Sequence, residues 1–175
     1  GTYSGVMSGA GGLTLTAGTL TLSGANTYTG ATTINGGTLV VTSAGSLATS
    51  GVVLANATTL DLQGTLTLAS LMMSPTAQVT NSVGTGNLTV SGASTLANSI
   101  MTTGSQTYTG AVTLAANTAL TGTAITFSST LDSNSTTAQS LNLTNSGMAS
   151  FTGVVGGTYP LALLVVGGDA SLGAS

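Results

Sequence analysis

Short runs of alternating residues recur along this 175-residue chain at intervals close to twenty. Leu13-Thr-Leu-Thr16, Thr19-Leu-Thr-Leu22, Thr38-Leu-Val-Val41, Thr59-Leu-Asp-Leu62 and Thr65-Leu-Thr-Leu68 set the pattern. Asn87-Leu-Thr-Val90, Ala111-Val-Thr-Leu114, Ala124-Ile-Thr-Phe127 and Leu141-Asn-Leu-Thr144 continue it. Successive side chains of an extended backbone point to opposite faces, so each run puts Leu, Val or Ile on one face and mostly Thr on the other. Turn chemistry separates the runs at Gly11-Gly12, Asn35-Gly36-Gly37, Gly84-Thr-Gly86, Gly156-Gly157 and Gly167-Gly168. Strands opening at Thr19, Thr38, Thr59 and Ala77 lie 19, 21 and 18 residues apart. A β-sandwich places a strand roughly every 8–12 residues, whereas a strand returning about every twenty suits one coil of a solenoid. Several strands fit within one coil, so spacing alone does not choose between them.

Composition does. The chain has no Lys, Arg, His, Glu, Cys or Trp, while Thr, Gly, Ser and Ala supply 36, 26, 22 and 22 residues. The strong surface helix formers are missing and β-branched residues dominate, which disfavours helix. Mean hydropathy is +0.51 and net charge −3, too apolar and too weakly charged for disorder. In a parallel β-helix, coils stack at about 4.8 Å and like side chains form ladders along the axis. Thr, Ser, Asn and small apolar residues tolerate such neighbours, and like charges at that distance repel. The expected fold is an all-β, right-handed parallel β-helix, a β-solenoid of roughly 20 residues per coil. About eight coils give a rod on the order of 40 Å long.

The same composition narrows function. Asp61, Asp132 and Asp169 are the only acidic side chains. General acid–base catalysis usually needs tuned His, Glu, Asp or Lys, and no base stands ready to activate the many hydroxyls. Without Lys or Arg to clamp phosphate, nucleic acid is a poor partner. Zinc, haem and iron–sulfur sites lose His and Cys together. Calcium calls for six to eight oxygens, generally with several carboxylates, and solvated or turn-capping roles suit the three aspartates better. The densest apolar stretch, Pro160–Val166, is far shorter than a membrane-spanning helix, which takes about 20 residues. No catalytic, cofactor-binding or metal-binding residue is expected, and no cofactor.

Internal repetition supports the solenoid. Gly24–Thr38 and Gly104–Thr118 align at an offset of 80 and share Asn/Gln-Thr-Tyr-Thr-Gly-Ala, with weaker echoes at Tyr3-Ser-Gly5 and Phe151-Thr-Gly153. Tyr28, Tyr108 and Phe151 could stack on sugar rings. Their fixed place in the repeat favours packing, with the following Gly demanded by the backbone. Thr-x-Thr pairs at Thr14/Thr16, Thr19/Thr21, Thr65/Thr67 and Thr107/Thr109 could act as an ice-binding array only if they recurred coil after coil on one flat face. Their irregular placement in the sequence argues against it.

Three stretches carry a family likeness: Tyr3–Thr14, then Gly18-Thr-Leu-Thr-Leu-Ser-Gly-Ala-Asn-Thr-Tyr-Thr-Gly30, then Ala31–Val40. Together they strongly resemble the autotransporter-associated β-strand repeat, which builds the β-helix of bacterial autotransporter passengers and large surface adhesins. Residues 1–50 resemble it closely, 51–103 only in style, and 104–175 form a second, looser block within what reads as a single solenoid segment of a longer protein. A lysine often seen before the Asn-Tyr element is replaced by the run Leu15-Thr-Ala-Gly18. The resemblance implies an extracellular or bacterial cell-surface protein; with the composition it gives a non-enzymatic stalk, fibre or biofilm-matrix segment, and low charge on a solenoid favours self-association end to end or laterally into filaments. The alternative is an adhesin segment that binds glycans or surface ligands through exposed Tyr, Asn and Thr side chains. Neither reading involves nucleic acid or membrane insertion by this segment.

Overall fold

The computed structural model describes residues 1–48 and 50–173, so Thr49 and the last two residues of the looser block lie outside it. No helix occurs among the described residues, and the strand pairings are parallel throughout. The chain winds through about eight turns of a β-solenoid with three sides. The first side stacks Thr2–Tyr3, Thr19–Leu22, Thr38–Val41, Thr59–Leu62 and Gln78–Thr80, then the distal parts of Ser94–Met101 and Val112–Gly122, then Ser140–Asn145 and Leu163–Val166. The second stacks Leu13–Leu15, Thr32–Ile34, Gly51–Leu54 and Ser70–Met73, the proximal parts of the same two long strands, and Leu131–Ser133. On the third, Ala25–Asn26 pairs with Ser46–Leu47. A six-stranded sheet follows, from Leu66–Leu68 through Leu88–Val90, Gln106–Tyr108, Ile125–Phe127 and Met148–Phe151 to Asp169–Leu172.

Register turns the alternating sequence into ladders. On the first side Leu20, Leu39, Leu60, Val79, Ile100, Leu120, Leu143 and Val166 lie one above another. On the third, Leu68, Val90, Tyr108, Phe127, Phe151 and Leu172 do the same. From Leu39 to Leu143 the first ladder is fully buried. Each such residue adds roughly 1.5–3 kcal/mol over an exposed one. Apolar Leu therefore recurs because every coil meets the same interior, lined by the coils before and after it.

Two devices keep the coils close. Gly37 takes φ +83°, a left-handed backbone that side chains disfavour, and a Cβ there would strike the Gly18 backbone one coil earlier. The glycine that follows each aromatic faces the same obstacle: Gly30 against Gly11, Gly110 against Gly92, Gly153 against Ser129. Thus the aromatic-hydroxyl-Gly element marks a corner where neighbouring coils leave no room for a Cβ.

Candidate functional site

The repeat aromatics point inward. Tyr28, Tyr108 and Phe151 are buried, so none of them can serve as a sugar-stacking platform. Tyr108, Phe127 and Phe151 stack along the axis, with ring centroids 5.3 and 5.2 Å apart and planes 15° and 11° from parallel. Parallel in-register pairing imposes that stack. Both buried phenols are hydrogen-bonded: Tyr28 shares a 2.6 Å bond with Thr32 Oγ1, and Tyr108 donates to Gln106 Oε1 at 2.8 Å. Burial pushes both hydroxyls above the ordinary tyrosine value, offset in Tyr28 by its bonds to Thr32 and Ser50.

The residue two before each Tyr does a job the sequence reading missed. Asn26 accepts from Met7 N at 2.9 Å and donates to Ser46 O at 2.8 Å, tying the coil below to the coil above. Its counterpart Gln106 donates to Thr121 O at 2.8 Å and to Ile100 O at 3.2 Å, and accepts from Tyr108. The Asn/Gln match at offset 80 was the available signal, because an amide both donates and accepts.

Outward, the third side carries an unbroken hydroxyl column: Thr67, Thr89, Thr107, Thr126, Ser150 and Ser171 in register. A second column of Ser91, Thr109, Ser128 and Thr152 flanks it. Mixed Ser and Thr pairs therefore recur on four successive coils, although only Thr107/Thr109 among them is Thr-x-Thr and the other Thr-x-Thr pairs are spread over three sides. The steps from 67 to 89, 107, 126 and 150 vary between 18 and 24 residues, which hides the register from a linear reading. Elsewhere such columns break; on the second side Thr33 is followed by Val53 and Met72.

The aspartates divide. Asp61 is nearly covered, and both its oxygens are occupied: Oδ1 accepts from Ser82 N at 2.8 Å and Thr80 Oγ1 at 3.4 Å, Oδ2 from Ser82 Oγ at 2.6 Å and Gln63 Nε2 at 3.0 Å. Burial raises its pKa, but these four bonds outweigh burial and hold it below the ordinary carboxylate value. Asp132 sits outward on the second side, in register with Thr113. Its Oδ1 accepts from Thr158 N at 2.9 Å and Tyr159 N at 3.2 Å, and Ser133 N donates back to Tyr159 O at 3.0 Å. A loop is thereby pinned beside the carboxylate. The result is an open groove of about 500 Å³ lined by Thr113, Thr130, Asp132, Ser135, Thr158 and Tyr159. Asp169 stands exposed at the last described coil. Among the described residues, three or more His, Cys, Asp or Glu side chains nowhere gather as a metal site would require.

These features define a parallel β-solenoid without cationic side chains, whose repeat residues serve its own packing. Residues 17–41 match the family model described as the passenger-associated-transport-repeat, the stretch that holds the Gly-Thr-Leu strands and the Asn-Thr-Tyr-Thr-Gly corner. The chain carries an autotransporter passenger repeat there, in a passenger-like β-helix. No curated protein and no solved structure matches the chain significantly.

Proposed function

We propose that this chain is a non-enzymatic structural segment of an extracellular surface or matrix protein, a stalk that lengthens by stacking copies end to end. The passenger repeat implies a surface or secreted setting. The carrying observation is that parallel, in-register ladders run coil on coil from Leu20 to Val166 with no column of charge to interrupt them. Leu172 is 73% exposed, beside an open cavity of about 490 Å³ lined by Phe151, Val154 and Val155. A parallel strand edge is a template for another chain, and the sequence has no Lys, Arg or Glu to oppose such pairing.

Negative-stain electron microscopy of the purified chain tests this. Filaments are expected, and the double variant Leu163→Lys, Leu172→Lys should disperse them while the circular dichroism of the coils persists. A monomer that stays dispersed at high concentration contradicts end-to-end stacking.

A further inference from the structure

We propose that the groove between Asp132 and Tyr159 binds a neutral glycan. The regular coils step by 19 to 21 residues along the first-side ladder, but Leu120 to Leu143 and Leu143 to Val166 each take 23. The surplus forms two loops, 134–139 and 152–162, that wall the groove. Surface loops on a rigid scaffold are where binding sites are commonly built.

Both loops are held. Asn134 Oδ1 accepts from Thr136 N at 3.0 Å and Thr137 N at 2.8 Å, while its Nδ2 donates to Ala115 O at 3.1 Å. The other loop is pinned through Asp132 Oδ1, and Asp132 lines the groove, whereas both oxygens of Asp61 are occupied. Tyr159 is 42% exposed beside Asp132. A pyranose offers an apolar C–H face for an aromatic ring and a rim of hydroxyl donors for a carboxylate, and bonds to a charged acceptor are the stronger kind. The hydroxyls of Thr113 and Thr130 complete a polar lining that can accept and donate. Charge selects among glycans: with no cationic side chain in the sequence, a carboxylated or sulfated sugar meets only Asp132, which repels it. Sequence reading weighed sugar stacking for Tyr28, Tyr108 and Phe151 and favoured packing. The fold buries those and leaves Tyr159 available.

The loop 152–162 gives Thr158 and Tyr159 to the groove and Val154 and Val155 to the C-terminal cavity, so binding is also read on the Leu163→Lys, Leu172→Lys variant, which separates it from end-to-end assembly. The test is titration calorimetry of the full chain with cello-, manno- and N-acetylated chito-oligosaccharides, plus deacetylated chitosan oligosaccharide as a cationic comparison. At least one neutral series is expected to bind. Tyr159→Ala should weaken it about tenfold or more. Asp132→Asn, which keeps the Oδ1 acceptor for the loop, should weaken it roughly 3- to 10-fold. Tyr3→Ala, an exposed tyrosine at the other end, should change nothing, and all three variants should keep the wild-type circular dichroism. The proposal is overturned if no neutral oligosaccharide binds at millimolar concentration, or if binding survives both groove substitutions. It also fails if only the cationic oligosaccharide binds and salt abolishes that binding, since the groove would then be an ammonium site.

Discussion

The coils from Thr19 to Met101 and those after Leu131 use the same residue types to different ends. In the first group the step is nearly constant, the inward ladder is buried from Leu39 on, and outward side chains bond to the coils above and below, as Gln63 does to Ser82 and Gln78 to Thr59. In the second group two connections lengthen, Leu164 and Val166 are only partly buried, and Tyr159 and Asp132 face a groove. A solenoid coil must match its neighbours, so regular length stabilises the stack and surplus length is free to form a site. Each region shows what the other gives up.

The largest test of that contrast lies in the aromatic ladder that joins the two groups. Phe127→Ala removes the middle ring and should cost about 3–5 kcal/mol in urea unfolding. Next, the same substitution can be made on either side of the divide: Leu60→Ala, fully buried, should cost about 2–5 kcal/mol, and Leu164→Ala, half-buried in the last described coil, about 1 kcal/mol. Equal costs would erase the distinction between scaffold and edge.

Titration sharpens it further. The folded-state pKa of Tyr108 lies above its unfolded value, so its neutral form supports the fold up to about pH 10, and that support is lost as pH rises beyond it. Tyr108→Phe should cost about 1 kcal/mol at pH 7, through the donor lost to Gln106. The same variant should show a smaller alkaline loss of stability than the wild type. Asp61 has the opposite sign. Its depressed pKa contributes stability above about pH 4, lost as pH falls through the folded value. Asp61→Asn should be about 1 kcal/mol less stable at pH 7 yet lose less than the wild type between pH 7 and pH 3. The smallest effect is expected on the outward hydroxyl column. A lone Thr126→Lys should shift stability by less than about 0.5 kcal/mol. The triple variant Thr107→Lys, Thr126→Lys, Ser150→Lys should be destabilised by more than the summed single effects, and less so in high salt. If three stacked lysines cost nothing extra, repulsion along the ladders does not explain the missing charge.

Much of the fold was legible because period two and period twenty are both local signals. The strands at Thr19, Thr38, Thr59, Thr65, Asn87 and Ala124 fall within a residue or so of where alternation put them. Ser70–Met73 and Ser94–Met101 were not foreseen: Leu71-Met-Met73 does not alternate with polar residues, and the long strand passes from one side to another through Asn98 at φ 53°. The inward sense of Tyr28 and Tyr108 followed from their fixed place in the repeat. The groove was not legible, because Asp132 and Tyr159 are 27 residues apart and meet only through the lengthened coil. The hydroxyl column was hidden for the same reason, uneven coil lengths.

Pulsed electron–electron resonance on spin-labelled pairs tests the coil stack most directly. The chain has no cysteine, so introduced cysteines label cleanly. Labels at Thr67 with Thr126, with Ser150 and with Ser171 lie three, four and five coils apart in one column. Distances should be narrow and grow by about 4.8 Å per coil, to roughly 24 Å for the longest pair before linker length is added. Broad distributions, or distances that do not rise with coil number, would contradict the stack on which every other statement here depends.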